Sequence, residues 1–255
     1  MVIPLHIEEA ARDANLGVVE EWLDETGPGA INDRDVYGFT LLRASLTSYI
    51  EERHVQFARR LIARGADVNI ASNYDSTPLH LACYPGGCAS AVASLLLQAG
   101  ARVNVRTQGE MTPLGTLIQK FDYCVDDNHG DRRQVSRSAL EIMKLLLRAG
   151  ALLDRCERDL SAEAAMQAFL SRHPSHANDE FFTKCRELVA GVRAHGSYKA
   201  YVREPHRQFL RLRSLLVRGR AKVRGSTKDS RRLERLARLP NGACWHVLSF
   251  LWEAA

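Results

Sequence analysis

The chain has 255 residues, of which 45% are hydrophobic and 25% are charged, and this is the composition of an ordinary globular protein. No run approaches the roughly 18 apolar residues that a membrane-spanning helix needs, so we expect no membrane insertion. The first residues lack a basic start followed by a long apolar stretch, and we therefore expect no signal peptide. Six cysteines without a CxxC pair favour free thiols in a reducing, intracellular compartment, cytoplasmic or nuclear.

The net charge of +5 is distributed unevenly along the chain. Residues 193–238 hold 15 Lys and Arg against 3 acidic residues, whereas the rest of the chain holds 20 basic and 27 acidic residues. A segment of net charge +12 thus accompanies a sequence of net charge −7. Such a segment can contact the acidic part of the chain, an acidic partner or nucleic acid.

The first half of the chain reads as pairs of short helices. The first pair is predicted over residues 5–14 and 18–23, and the second begins at Thr40 and continues over residues 55–63. The third begins at Thr77, whose hydroxyl can cap a helix, and Pro78 suits the first helical position. Its second helix stops at Gly100, because glycine adopts the left-handed capping conformation without a Cβ penalty.

One helix pair is too small to bury its own apolar face, and the unit recurs. A Gly-Ala pair followed by Asn or Asp appears four times, with spacings of 36, 35 and 50 residues, at Gly29, Gly65, Gly100 and Gly150. The helix starts also recur, at Thr40, Thr77, Thr112 and Ser161. A period of about 33 residues with the start Thr77-Pro78-Leu79-His80 is typical of ankyrin repeats, and the chain resembles that family over residues 3–192.

The resemblance implies an all-α fold, an ankyrin-repeat solenoid of about five helix-turn-helix repeats with a basic helical C-terminal extension. The 50-residue spacing locates an insertion at 122–135 in the fourth repeat, and its polar residues predict an exposed loop. Gly115 replaces the His of the motif in this repeat, so we expect weaker local hydrogen bonding there. A fifth, degenerate repeat is predicted over residues 160–166 and 179–192.

Residues 193–238 form a basic segment with a predicted helix over 206–217. Phe209, Leu212 and Leu216 share one face of that helix and could seal the last repeat, with the arginines facing the acidic repeats or water. The alternatives are an arm that binds the phosphates of nucleic acid and a localisation signal. Few aromatic residues interrupt the basic ones, so nucleic acid is not the partner that we expect.

The last stretch, residues 239–255, resembles the opening of an F-box. The residues that match are Leu239, Pro240, Trp245, Val247, Leu248 and Leu251. This resemblance covers about 17 residues, is similar to the truncated F-box-like segments of poxviral ankyrin proteins, and implies docking on the adaptor of a cullin–RING ubiquitin ligase. Residues 214–215, 223 and 239–240 also loosely resemble a SOCS box. The open alternative is a terminal amphipathic helix that packs on the repeats of its own chain.

The sequence contains no nucleophile elbow, no phosphate-binding glycine loop and no Cys/His cluster with the spacing of a zinc site. Three weak metal candidates are His80 with Cys83 and Cys88, His129 with neighbouring aspartates, and His173 with His176. A hydrogen-bonding role or a solvated turn explains each of them better than a metal does. We therefore predict no enzymatic activity, no cofactor and no metal ion.

The sequence instead predicts a surface that binds another protein. The ankyrin resemblance implies that partners contact the fingertip turns between repeats and the concave face of the inner helices. The positions that it implies are Val36, Tyr37, Phe39, Asn73, Tyr74, Asp75, Tyr84, Gln108 and Glu110. We expect a monomer that binds an unidentified protein; the alternatives are a substrate-recognition adaptor of a ubiquitin ligase and a nuclear or nucleic-acid-associated protein acting through residues 193–238.

Overall fold

The computed structural model describes residues 2–46, 50–121 and 132–204, together with Arg207 and Ser214. Over these ranges the chain forms α-helices, two 3-10 helices and isolated β-bridges, without a β-strand. None of the described helices has both the length and the apolar character needed to cross a bilayer. The chain divides into two units, Met1–Ser197 and Tyr198–Ala255, and all the helices named below lie in the first.

The first unit is a stack of five helix pairs. The inner helices are α1 (Leu5–Arg12), α3 (Leu41–Ala44), α5 (Pro78–Ala82), α7 (Pro113–Gln119) and α9 (Ala162–Arg172). The outer helices are α2 (Leu16–Thr26), α4 (Glu52–Ala63), α6 (Ala89–Gln98), α8 (Arg132–Arg148) and α10 (Glu180–His195). Each inner helix contacts the next inner helix, and from α4 onward each outer helix contacts the next outer one. This arrangement is the solenoid that the repeat pattern predicts.

The starts and ends of the helices follow the sequence signals. Thr40, Thr112 and Ser161 each accept a hydrogen bond from the backbone N–H three residues ahead, at 3.2–3.3 Å. Gly65, Gly100 and Gly150 follow the outer helices with φ of +96°, +88° and +92°. In the first repeat the glycine with positive φ is Gly27 rather than Gly29, because Pro28 opens a 3-10 helix, Pro28–Asn32.

A ladder of asparagines joins successive repeats. The Asn69 side chain accepts from the Arg102 N–H at 2.8 Å and donates to the Gly100 carbonyl at 3.2 Å. Asn32 makes the same two bonds one repeat earlier, and Asn104 makes them one repeat later. The Asn of the repeating Gly-Ala…Asn pattern therefore fixes the turn of the following repeat, which explains why it recurs.

We expect the substitution Asn69→Ala to lower the free energy of unfolding by about 1–2 kcal/mol, because it leaves two backbone groups without their partner. The measurement is denaturant unfolding of the full chain followed by circular dichroism. The matched control is Asn15→Ala, since the exposed Asn15 side chain does not cap the helix that it precedes. That control is expected to change stability by less than about 0.5 kcal/mol, and equal losses for the two variants would refute the role of the ladder.

Two helices run past limits that the sequence predicts. Helix α8 begins at Arg132, inside the segment expected as an insertion over 122–135, and Val135 in its first turn is only 2% exposed. Residues 122–131 lie outside the described range. Helix α10 continues to His195, past the expected end of the repeats at 192, and it ends before Gly196, whose φ is +75°.

At Gly115, where we expect weaker local hydrogen bonding, the structure shows a different set of bonds. A Cβ at Gly115 would lie 2.1 Å from the Cys156 carbonyl oxygen, so the glycine allows this backbone to approach α7 closely. The Cys156 carbonyl then accepts from both the N–H and the hydroxyl of Thr112, at 3.0 and 3.1 Å. The bond that the usual His would provide is thus replaced by a direct contact between backbone and helix cap.

Candidate partner-binding surface

Four fingertip turns protrude between successive helix pairs. In each turn the first residue donates to the carbonyl of the fifth at 2.8–3.0 Å, in the segments 35–39, 72–76, 107–111 and 156–160. The fourth position of the first three has positive φ, at Gly38 (+77°), Asp75 (+58°) and Glu110 (+59°). Each turn is therefore closed by its own hydrogen bonds before any partner binds.

The turns are also joined to each other. Asn73 donates its backbone N–H to the Tyr37 carbonyl at 3.0 Å and its side-chain amide to the Val36 carbonyl at 3.1 Å. Gln108 repeats this pattern toward the Tyr74 carbonyl at 3.1 Å and the Asn73 carbonyl at 2.7 Å. The side chains of Asn73 and Gln108, which the sequence predicts as partner-binding, are thus engaged in holding the turns together. The result is a preorganised row of turns.

Large apolar side chains are exposed on this row. Val36, Tyr37 and Tyr74 are 73%, 54% and 57% exposed, and Leu160 on the fourth turn is 39% exposed. These are half of the eight large apolar residues exposed among the described residues, although the turns form a small part of the chain. The Tyr37 ring lies 5.6 Å from that of Phe39, which is half-buried. Exposed apolar side chains concentrated on a rigid surface indicate a binding site.

The remaining predicted site residues lie in more polar surroundings. Asp75 is exposed on the second turn, and Glu110 is exposed on the third and pairs with Arg106 at 2.6 Å. Tyr84 follows α5 and is half-buried, and the Lys120 ammonium lies 5.2 Å from its ring centroid. The structure therefore brings Tyr37, Phe39 and Tyr74 together with Asn73 and Gln108, while Glu110 belongs to a charged part of the row. Their role in partner binding stays a prediction.

Arg43 is not among the site residues that the sequence predicts. Its guanidinium lies 3.2 Å from the centroid of the Phe39 ring, and its buried Nε has no hydrogen-bond partner. Burial lowers the pKa of Arg43 to about 10, although the negative charges of Asp35 and Glu8 oppose this effect. The sequence contains one indication that Arg43 is unusual. Arg43 occupies the position that His80 occupies in the third repeat.

His80 has a structural role and is not free to bind a metal. Its Nδ1 lies 3.1 Å from the Thr77 N–H and 2.9 Å from the Thr77 hydroxyl, and its Nε2 lies 3.2 Å from the Met111 carbonyl. Cys83 is fully buried, and burial raises the pKa of its thiol. Across the described ranges no three His, Cys, Asp or Glu side chains are grouped so as to hold a metal ion. The candidate His129 lies outside those ranges.

The stability of the chain is expected to depend on pH through His80. Burial lowers the pKa of His80, so the unfolded chain binds a proton more readily than the folded chain does. The stability that neutral His80 contributes is complete at a pH above about 6.5, the pKa of histidine in the unfolded chain. It is lost as the pH falls toward the lower pKa that His80 has in the folded chain. We expect the unfolding free energy of the wild type to fall between about pH 7.5 and 5.5, and to fall less in the variant His80→Gln. Equal pH slopes for both proteins would contradict this assignment.

Comparison with known proteins agrees with this geometry. Residues 7–107 match the family model "Ankyrin repeats (3 copies)", and the described helices form an all-α ankyrin-repeat solenoid, as the sequence predicts. The human protein "Ankyrin repeat and SOCS box protein 16" is 43% identical over 67 residues. This similarity covers 26% of the chain and 14% of that protein. The chain thus spans about one seventh of the length of this curated relative.

The predicted F-box-like residues are not supported by these comparisons. Leu239, Pro240, Trp245, Val247, Leu248 and Leu251 all lie outside the described part of the chain. The matched family region ends at residue 107, well before them. The ligase-docking role of residues 239–255 is therefore a proposal only.

Proposed function

We propose that the chain is a non-catalytic module that binds another protein through the fingertip turns of its second and third repeats. The observation that carries this proposal is the exposure of Val36, Tyr37 and Tyr74 on turns that are hydrogen-bonded to one another. Exposed tyrosines are strong anchors in protein interfaces, because they bury a large area with few rotatable bonds. A preorganised surface also loses little conformational entropy on binding.

Several observations favour a binding module over an enzyme. Four of the exposed large apolar side chains of the described residues lie on the fingertip turns, whereas catalysis needs convergent polar groups in a concave site. The described cysteines are free thiols, and burial raises the pKa of Cys83, Cys156 and Cys185, which disfavours the reactive thiolate. Free thiols also agree with the intracellular location that we propose.

The test is site-specific photocrosslinking in cells. A benzophenone-bearing phenylalanine replaces Tyr74 in one variant and Val18, a partly exposed residue of the outer helix α2, in the control variant. We expect discrete crosslinked proteins at position 74 that are absent at position 18. Identical crosslinks at both positions, or none at position 74, would refute binding through the fingertip turns.

The second candidate is a substrate-recognition adaptor of a ubiquitin ligase. It is favoured by the F-box-like residues 239–251 and by the relative whose name includes a SOCS box. In this role the repeats would select the substrate and Leu248 would contact the ligase adaptor. Co-purification of ligase adaptors with the wild type, and its loss in Leu248→Asp, would support this role. Retention of the adaptors in Leu248→Asp, or no adaptor with either protein, would count against it.

A nucleic-acid role for residues 193–238 receives less support. Arg193 of this segment pairs with Glu163 and Asp154, which raise its pKa, so these carboxylates would compete with a phosphate for it. Binding to a nucleic acid that weakens steeply with salt would support this role, and binding that is absent at low salt would exclude it.

A further inference from the structure

Arg43 departs from the repeat pattern in the contacts that its guanidinium makes with the described residues. It occupies the third position of α3, as His80 does in α5, and both helices begin at a threonine cap. His80 bonds to its own cap and to the Met111 carbonyl of the next repeat, whereas Arg43 lies against the Phe39 ring. The Arg43 Nε is buried without a hydrogen-bond partner, and no carboxylate of the described chain forms an ion pair with it.

Arg43 belongs to a row in which aromatic and basic side chains alternate. The members are Phe39, Arg43, Tyr84 and Lys120, contributed by three successive repeats, and each is half-exposed. The Arg43 guanidinium lies 3.2 Å from the Phe39 ring, and the Lys120 ammonium lies 5.2 Å from the Tyr84 ring. Arg43 lies on α3, Tyr84 follows α5 and Lys120 follows α7, and these three inner helices contact one another in succession. We call these four residues the Arg43 row.

The acidic groups near the Arg43 row do not form an ion pair with Arg43 among the described residues. Glu8 pairs with Arg12 at 2.5 Å. One oxygen of Asp35 accepts from the N–H groups of Tyr37 and Phe39 at 2.8 and 2.7 Å, and its other oxygen is buried without a partner. The nearby carboxylates thus reduce the positive charge of the row without forming an ion pair with Arg43.

We propose that the Arg43 row binds an acidic segment of a protein partner, with one Asp or Glu carboxylate on Arg43 and a flanking apolar residue against Tyr37. The inference rests on the proposed protein-binding function and names the chemistry of its partner. A guanidinium presents paired N–H donors that match a carboxylate, and stacking on an aromatic ring fixes their direction. The partial burial that lowers the pKa of Arg43 would be offset by such a carboxylate.

The probe is a library of random displayed peptides, selected on the immobilised full chain. The selection is repeated on Arg43→His, which installs the side chain found at His80, and on Arg59→Gln, which removes an exposed arginine of α4 as a control. Thermal unfolding of Arg43→His verifies that the variant is folded. Each enriched peptide is then compared with its Asn or Gln counterpart, in which the acidic residue is neutral.

We expect the peptides enriched on the wild type and on Arg59→Gln to carry an Asp or Glu beside an apolar residue. Neutralising that residue should weaken binding to the wild type by about tenfold and leave binding to Arg43→His nearly unchanged. Enriched peptides without an acidic residue, or an equal loss on both proteins, would overturn the acidic-partner inference while leaving the proposed function intact. If no peptide is enriched over an unrelated protein, both the inference and the proposed function lose their support.

Discussion

Replacement of Phe182 by alanine is expected to lower the free energy of unfolding by about 3–5 kcal/mol. Phe182 is 1% exposed, and its ring centroid lies 4.9 Å from that of Phe121 and 5.5 Å from that of Phe169. The buried His176 ring adds a fourth aromatic group at 6.3 Å. Alanine would leave a cavity among these rings and remove their edge and stacking contacts. The loss should appear first in α9 and α10, since repeats contact only their neighbours.

The neighbouring Phe181 offers a matched control. It is half-exposed and contacts the Lys184 ammonium at 5.4 Å, so it contributes little to the core. We expect Phe181→Ala to lower the free energy of unfolding by about 1 kcal/mol or less. Denaturant unfolding measures both variants, and amide hydrogen exchange over α9 and α10 locates the change. Similar losses for Phe181→Ala and Phe182→Ala would show that the aromatic cluster does not hold the fifth repeat together.

We expect the second large effect from Gly115→Ala, which should lower the free energy of unfolding by about 3 kcal/mol. The new Cβ would lie 2.1 Å from the Cys156 carbonyl oxygen and 2.8 Å from its carbonyl carbon. This backbone cannot move away without breaking the two hydrogen bonds that Thr112 donates to the carbonyl. The measurement is the free energy of unfolding in denaturant.

Gly29→Ala is the control for Gly115→Ala. A Cβ at Gly29 has no heavy atom within 4 Å, and Gly29 lacks the positive φ that disfavours alanine. The free energy of unfolding of Gly29→Ala should stay within about 0.5 kcal/mol of the wild-type value. A wild-type stability for Gly115→Ala would mean that the contact between α7 and the fourth turn is looser than the geometry indicates.

The fold was largely predictable because its repeat has strong local signals. Thr77 with Pro78 starts a helix, and Gly100 ends one, through backbone chemistry that needs no distant contact. The packing of one helix pair on the next follows from the period alone. What could not be predicted depends on contacts between repeats, such as the close approach of Cys156 to Gly115 and the aromatic cluster around Phe169.

The candidate site was predictable only in part. The positions of Tyr37 and Tyr74 follow from the repeat register, and the register also predicts their exposure. The use of the Asn73 and Gln108 amides to join the turns does not follow from it, because those bonds depend on the spacing of neighbouring turns. Arg43 was visible as a departure from the motif, yet its stacking on Phe39 required the structure.

The most direct test of binding through the fingertip turns is the affinity of the partner identified by crosslinking at position 74. Binding is measured by calorimetry for the wild type and for the double variant Tyr37→Ala/Tyr74→Ala, with unfolding curves to verify that both are folded. We expect the double variant to bind at least about tenfold more weakly, since both rings are exposed anchors on a rigid row of turns. An unchanged affinity would contradict binding through these turns, because the partner would then bind elsewhere on the chain.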